Sequence, residues 1–428
     1  MVITFDKEML SLALPPAIAV FVPVVLLAGL ALLFQAWSRP LLNASLHEEN
    51  EANVVAKESD FPADWWVGSN LFELEKRAIF SKRWLYLSHR SRFSKAGDYH
   101  SYEVADIPIF LILGKDGVVR AFHNVCRHRA YAVTRKECGS SLVLRCRYHG
   151  WSFNTYGQLV KAPHFDHVPG FDKSQNDLFA IHTTTTNSGF ILVNLDASTI
   201  APPLETWPLD SLASRHGLGR RSSWVGGQTI EGQFNWKMCL RPRKFLGGEA
   251  WEHAPPKRSY MLLLSRLFNK IPNYPEDIIV FPFTTIHTLK RTTYWYSLSF
   301  IPISEKRTSI RFDLHCTRDS SSPNHLIILE GLIGLVNKSS RALEAEYQSY
   351  TDDSKSATAV SAFDTSTENT QKEILGLLQA HAKLEKQQGT EVFPAMRQPR
   401  QNARYEQAEQ LCKELDCQDA LNRQSLAW

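Results

Sequence analysis

Two short pairs of metal-binding residues stand out in the chain: Cys-X-His at Cys126 and His128, and Cys-X-X-His at Cys146 and His149. Two thiolates and two imidazoles can hold a [2Fe–2S] cluster in which one iron takes both sulfur ligands and the other takes both nitrogen ligands. Each pair would then supply one ligand to each iron. Because imidazole ligands raise the reduction potential above that of an all-Cys cluster, the pattern predicts an electron-transfer centre.

A zinc site is the first alternative, because Zn²⁺ accepts the same ligands. Common zinc patterns pair like with like, with two Cys close together followed by two His close together. Both pairs here are mixed, and the second runs directly into Gly150 and Trp151. The pattern therefore favours the iron–sulfur cluster, with zinc and a chance occurrence left as alternatives.

Around these pairs the sequence resembles the Rieske-type non-haem iron oxygenases. Residues 124–129 and 146–151 look like the cluster-binding motif of that family, and the likeness continues through residues 154–159 and 190–195. The chain is similar to the choline-monooxygenase-like branch and, in character, to its fungal members. The resemblance covers residues 60–200 well and the rest of the chain weakly.

A second class of Rieske protein, found in respiratory complexes, has a disulfide between its two cluster loops. The positions where that bridge would lie hold Tyr131 and Tyr148. No such bridge can form here, so the oxygenase type is favoured.

The resemblance also implies a second metal, because oxygen activation calls for Fe(II) held by two His and one carboxylate. In the family, a segment beginning Asn-Trp-Lys leads into a helix that carries an Asp and then two His. Residues 235–237 match that opening, but Arg241 stands about where the Asp is expected and Gly248 stands near the first His position. His253 falls at the second His position and is the candidate ligand for mononuclear iron.

The other ligands of this iron are open. Glu249 precedes His253 by four residues and could share a helical face with it. A mis-spliced segment over residues 239–278 and a decayed paralogue would each account for the lost ligands. Acidic residues of the tail are weak candidates, and three further histidines are expected to be core or surface residues. These are Glu344, Glu346, Asp352 and Asp353, and His287, His315 and His381.

The activity that the resemblance implies is that of a Rieske-type monooxygenase. Electrons from NAD(P)H would pass through a separate flavin reductase to the cluster, and then to an Fe(II) that hydroxylates or oxidises a small organic substrate. The family also implies a homotrimer and offers secondary metabolism as a role. The alternatives are a membrane-anchored Rieske electron-transfer protein without oxygenase activity, and a non-enzymatic membrane protein.

Composition limits the class of protein. A chain of 428 residues, 43% of them hydrophobic, is long enough for two domains with ordinary cores. The net charge of +4, without basic runs interleaved with aromatic residues, gives no support to nucleic-acid binding. The seven Cys are odd in number and scattered, which favours a reducing compartment over a secreted disulfide framework.

The first 45 residues predict a membrane anchor. Residues 17–37 are almost wholly apolar, and about 20 apolar residues span the hydrocarbon core of a bilayer. A signal peptide is the alternative, but its apolar core usually has only about 7–15 residues. Arg39 follows the run and favours a cytosolic flank. The predicted localisation is therefore a single-pass membrane protein with its main domains in the cytosol.

Strand and turn signals organise the remaining chain into two domains. Residues 107–113 and 118–124 are β-rich runs separated by a turn at Gly117, so both metal-binding pairs should lie on loops at hairpin tips. The predicted fold class is α+β. It comprises an N-terminal transmembrane helix at 1–45, an all-β Rieske domain at 60–200 and an α+β catalytic domain at 225–428. The helix-grip-like form of the last is implied by the resemblance.

Overall fold

The computed structural model describes residues 61–166, 168–240, 278–289, 292–317, 325–352 and 365–392, together with residues 410 and 413. All of them belong to one compact unit that runs from Ser59 to Trp428. The strands of this part of the chain form three antiparallel sheets accompanied by helices, which confirms the predicted α+β class.

The elements are named in chain order. The strands are β1 Leu85–His89, β2 Asp98–Val104, β3 Ile107–Leu113, β4 Val119–His123, β5 Cys138–Ser140, β6 Val143–Arg145, β7 Ser152–Asn154, β8 Leu159–Lys161, β9 Ala180–Thr185, β10 Phe190–Asn194, β11 Ser223–Gly232, β12 Ile278–Val280, β13 Thr284–Thr288, β14 Tyr294–Ser304 and β15 Arg307–Cys316. The α-helices are α1 Ser69–Glu75, α2 Trp207–His216, α3 His325–Asp352 and α4 Thr365–Gln388.

The first sheet has seven strands in the order β1-β10-β9-β4-β3-β2-β5. Its β3–β4 hairpin follows from the sequence, because an apolar run ends at a turn that Gly117 closes with a φ of +77°. Glycine adopts this left-handed conformation without a steric penalty. The Gly114 amide donates to the Val118 carbonyl at 2.9 Å and completes the turn. The predicted hairpin is therefore confirmed.

A second, three-stranded sheet in the order β6-β7-β8 lies beside the loops that carry the two metal-binding pairs. The loop from Cys126 begins shortly after β4, and the loop from Cys146 joins β6 to β7. Trp151, Phe153 and Phe165 are fully buried beneath them in a small core of their own. Rigid strands and this core hold both loops in place.

The third sheet has five strands in the order β11-β15-β14-β13-β12. Helix α3 packs on β11 and β15. A side-chain carbon at Gly226 would lie 2.6 Å from Leu329 of α3, so glycine permits the close approach of helix and strand. Helix α4 packs against α1.

The first and third sheets share a continuous hydrophobic core. Tyr86 and Phe190 of the first sheet pack with Trp295 of the third. Two fully buried histidines lie at the same junction, and Ser91 Oγ is 2.9 Å from His89 Nδ1 and 3.0 Å from His315 Nδ1. These three polar residues are called the histidine bridge below.

The neutral form of the histidine bridge is strongly favoured. The His89 Nε2–H donates to the Ser188 carbonyl at 2.9 Å, which leaves Nδ1 to accept from the Ser91 amide at 3.2 Å. Burial lowers the pKa of His89 to about 4 and places that of His315 well below its usual value. Both rings are therefore neutral near pH 7.

The membrane prediction is wrong. The anchor proposed at 1–45 lies outside the described residues, and no helix within the described ranges is long and apolar enough to cross a bilayer. An apolar run of sufficient length is a necessary condition for a membrane span but not a sufficient one, and the prediction rested on that run. The single-pass topology and the cytosolic placement were both derived from this anchor and are wrong with it.

Candidate iron–sulfur site

The two metal-binding pairs lie on loops with the same backbone design. They are named the first cluster loop (residues 126–131) and the second cluster loop (residues 146–151). In each, the Cys amide donates to the carbonyl of the residue five positions later at 2.8 Å. The amide of the residue four positions later donates back to the Cys carbonyl at 3.0 Å. Each loop is thus closed by its own backbone.

This closure requires a left-handed residue at the same place in both loops. Ala130 has a φ of +53° and Gly150 has a φ of +74°. The second loop uses glycine, which tolerates this conformation, whereas the first places a side chain there at some steric cost. The shared geometry turns the Cys and His side chains of each loop toward the other loop.

All four predicted ligands meet between the loops. Cys126 and Cys146 are buried and their side chains are in hydrogen-bond contact. The rings of His128 and His149 have centroids 4.5 Å apart and planes at 76°. His128 is buried, whereas His149 is partly exposed. The structure therefore gathers two sulfurs and two imidazoles at one point near the surface.

The surroundings of the sulfurs favour a thiolate. A hydrogen bond from the Cys126 thiol lowers the pKa of Cys146 to about 6, and two backbone N–H groups of the second cluster loop act in the same direction against burial. The contact with Cys146, together with burial, raises the pKa of Cys126, while two N–H groups of its own loop oppose that rise. Since the thiolate is the form that binds metal, this donor set fits a [2Fe–2S] cluster.

Comparison with known families identifies the domain that carries these loops. Residues 83–172 match the family model described as the Rieske [2Fe-2S] domain. The chain carries a Rieske domain. Such a domain implies a [2Fe–2S] cluster, which sets aside the zinc and chance alternatives.

Curated relatives extend this match. The oxygenase subunit of carnitine monooxygenase from Acinetobacter baumannii is 37% identical over 136 residues, or 32% of this chain and 36% of that protein. The subunit of the same name from Escherichia coli is 31% identical over 181 residues, or 41% and 47% of the two chains. Chlorobenzene dioxygenase subunit alpha from a Cupriavidus species is 32% identical over 173 residues, or 40% and 37%. The chain thus spans 36% to 47% of the length of these relatives. The predicted resemblance to Rieske-type non-haem iron oxygenases is confirmed.

A solved structure shares the fold beyond the Rieske domain. The quaternary ammonium Rieske monooxygenase CntA, in complex with gamma-butyrobetaine, aligns with a TM-score of 0.57 and 22% identity. The alignment covers 68% of this chain and 84% of that chain. At this identity the likeness establishes the fold.

An aromatic shell fixes one histidine of the Rieske domain. The indole of Trp151 stacks on His128 with centroids 5.1 Å apart and planes at 9°, and Phe165 meets the same ring edge-on at 5.2 Å. The cluster-binding motif in the sequence includes Trp151 but not Phe165. The only signal for Phe165 was a large apolar residue between His164 and Asp166. The two rings leave His128 one orientation.

The segment that the resemblance places before the second metal is described as far as Leu240, and this part contains a buried ion pair. Lys237 and Glu75 form an ion pair and are only 1% and 0% exposed, and Trp236 Nε1 donates to Glu75 Oε2 at 2.7 Å. The Trp65 ring lies 4.7 Å from Lys237 Nζ. Gln371 accepts from Trp65 Nε1 and donates to the Lys237 carbonyl, both at 3.0 Å. These five residues are called the Lys237 network.

The predicted mononuclear iron ligand cannot be placed. His253 lies outside the described residues, as do Arg241, Gly248 and Glu249. Within the described residues, no group of three or more His, Cys, Asp or Glu side chains is arranged to hold one metal ion. A Rieske cluster is not expected to form such a group, because each of its irons takes only two protein ligands.

The remaining candidates have other contacts. Glu344 accepts from the Gln233 amide at 2.9 Å, and Glu346 accepts from Tyr350 Oη at 2.8 Å. His315 belongs to the histidine bridge, as the core placement expected from the sequence implies. His287 Nε2 lies 2.8 Å from Thr285 Oγ1, and His381 Nε2 lies 3.2 Å from Glu385 Oε1. Asp352 lies at the end of α3, and Asp353 lies outside the described residues.

Proposed function

We propose that this chain is the oxygenase subunit of a Rieske-type non-haem iron system, an oxidoreductase that uses O₂ to oxidise a small organic substrate. The observation that carries the proposal is the convergence of two thiols and two imidazoles from two self-closed loops. We propose Cys126 and Cys146 as ligands of one iron, and His128 and His149 as ligands of the other.

The chain's own residues would prepare this site for electron transfer, and the cluster, when bound, supplies a reversible one-electron couple. Backbone N–H groups directed at both sulfurs stabilise negative charge there. Stacking on Trp151 holds His128 in one orientation. His149 is partly exposed and therefore marks the side on which an electron enters or leaves the domain.

The extent of the fold supports an oxygenase over a simple electron carrier. A Rieske protein that only carries electrons has no need of the third sheet and helices α3 and α4. The likeness to CntA covers 68% of the chain, which is far more than the Rieske domain. The electron-transfer alternative is therefore less well supported.

The remaining parts of the proposal rest on the relatives and on sequence position. Electrons would come from NAD(P)H through a separate flavin reductase, and a homotrimer is the proposed assembly. His253 is proposed as a ligand of the mononuclear Fe(II). The relatives' names include carnitine, a quaternary ammonium compound, and chlorobenzene, a chlorinated aromatic compound, so these two classes are the first substrates to test. Neither of those names points to secondary metabolism.

Metal and sulfide analysis tests the proposal. The chain would be purified without oxygen, and iron and acid-labile sulfide would be counted. An oxygenase should hold the two irons and two sulfides of the cluster and one further iron. Two irons with two sulfides would support the electron carrier. Zinc, or a reduced protein without the electron paramagnetic resonance signal of a Rieske cluster, would remove both.

A further inference from the structure

Two tyrosines connect the cluster loops at the protein surface. Tyr131 ends the first cluster loop and Tyr148 lies in the second, and their ring centroids are 5.2 Å apart with planes at 37°. The backbone hydrogen bonds that close each loop stay within that loop. The ring pair therefore supplies a contact between loops that are otherwise closed separately.

The pair is supported from one side and covers a candidate ligand on the other. The Arg135 guanidinium lies over the Tyr131 ring, 4.7 Å from its centroid. The Tyr148 ring lies 4.0 Å from the centroid of His149. Tyr148 is 47% exposed, so one part of its ring faces solvent while another part shields the imidazole. A cation over the face of an aromatic ring is attracted to it.

We propose that Tyr131 and Tyr148 form a non-covalent clamp that holds the two cluster loops together and limits the access of water to His149. Both tyrosines are positioning residues, since they act on the cluster through the loops and His149. The inference rests on the proposed ligand role of those loops.

The clamp has two measurable consequences. Separation of the loops exposes both irons' ligands to competitors, so loss of a ring should speed cluster release. Removal of the cover also lets water approach the cluster. Because reduction adds negative charge to the cluster and water stabilises that charge, the reduction potential should rise. A purely structural role elsewhere in the domain would not move the potential.

The test uses the purified full-length protein with its cluster, in wild-type form and as Tyr131→Ala, Tyr148→Ala and the double variant. Release is followed as the loss of visible absorbance after addition of an iron chelator, and the reduction potential is measured by spectroscopic titration. Each single variant should release the cluster several-fold faster, and Tyr148→Ala should raise the potential. The double variant should release the cluster about as fast as the faster single variant, and not at the rate given by multiplying the two single effects. This is expected because both substitutions break the same contact.

Matched variants separate the clamp from general damage. Tyr131→Phe and Tyr148→Phe keep both rings and should behave as wild type. Tyr156 is also exposed, at 42%, and carries the Arg120 guanidinium 4.6 Å from its ring centroid, but it lies away from the cluster loops. Tyr156→Ala should therefore leave release rate and potential unchanged.

Each outcome decides the matter. Wild-type release rates in both alanine variants, or multiplied effects in the double variant, would overturn the clamp. If Tyr131→Ala does not fold, Arg135→Ala asks the same question without removing a ring, and an unchanged release rate there would count against the proposal. A wild-type protein that binds no [2Fe–2S] cluster would instead refute the proposed function.

Discussion

The cluster loops and the Lys237 network both hold polar side chains away from water, but they do so by opposite means. Each cluster loop is closed by backbone hydrogen bonds between residues at most five positions apart. The Lys237 network joins segments up to 306 positions apart, and its two charges form a buried ion pair. The backbone conformation of each loop is therefore set by local hydrogen bonds, whereas the network requires contacts between segments far apart in the chain.

Because of this difference, the loss of a residue should have different consequences in the two regions. Removal of a ligand from a self-closed loop should abolish binding of the cofactor and leave the surrounding sheets folded. A charge removed from the network leaves its partner buried and uncompensated, which should cost the fold. Cofactor content and stability therefore report on different parts of one molecule.

The largest effect should follow substitution of a cluster thiol. Cys126→Ser or Cys146→Ser should abolish the cluster, because a serine hydroxyl does not replace a thiolate ligand. Iron content and visible absorbance report the loss, and circular dichroism reports the retained sheets. Cys138→Ser is the matched control, since Cys138 is an exposed thiol of the same domain. A coloured Cys146→Ser variant would contradict the ligand assignment.

Loss of the charge on Glu75 should have the largest effect on stability. Glu75→Gln leaves Lys237 without its counter-charge in a buried site, which costs about 3–5 kcal/mol in the free energy of unfolding. Urea titration measures the change. Glu231→Gln removes a partner from the exposed pair with Arg307, whose oxygen and nitrogen lie 2.8 Å apart, and should cost about 1 kcal/mol or less. Equal effects in the two variants would show that the network is not buried in solution.

Acidification should weaken the junction of the sheets. Since burial lowers the pKa of His89 to about 4 from an ordinary 6.5, the unfolded chain binds a proton more readily in that range. Stability is full above pH 6.5 and falls by about 1.4 kcal/mol per pH unit as the pH approaches 4. The lowered pKa of His315 acts in the same direction.

Urea titrations at several pH values, on wild type and His89→Gln, measure this slope. The contribution of cluster loss is common to both proteins and cancels in their difference. The variant should show the smaller slope. Equal slopes would mean that His89 does not titrate through folding.

The smallest effect should come from making the two cluster loops alike. Ala130→Gly relieves a left-handed conformation and should stabilise the protein by about 0.5–1 kcal/mol, after the entropy of the added glycine is deducted. The reverse change, Gly150→Ala, should destabilise the protein. The backbone at residue 150 is left-handed, and the added Cβ would lie 3.1 Å from the Arg145 guanidinium. Thermal unfolding compares them, and a destabilised Ala130→Gly variant would speak against loop strain.

The sequence predicts the cluster loops well because their information is local. Ligand types and spacing within residues 126–151 are enough to suggest both the metal and the hairpin tips. The sequence gives no comparable local signal for the buried ion pair of Lys237. Its partner Glu75 is 162 positions away, and no spacing rule connects the two. The contact between Tyr131 and Tyr148 lies between these cases, since the positions are visible in the sequence but their stacking is not.

The self-closure of the cluster loops has a consequence for how this domain can change over time. A loop fastened at its own ends does not depend on the length of the chain that leads to the next one. The connection between β5 and β6, at residues 141–142, could therefore gain amino acids while both hexapeptides kept their shape. The same independence makes the pair a portable unit that could be grafted onto another β-scaffold with matching anchor strands.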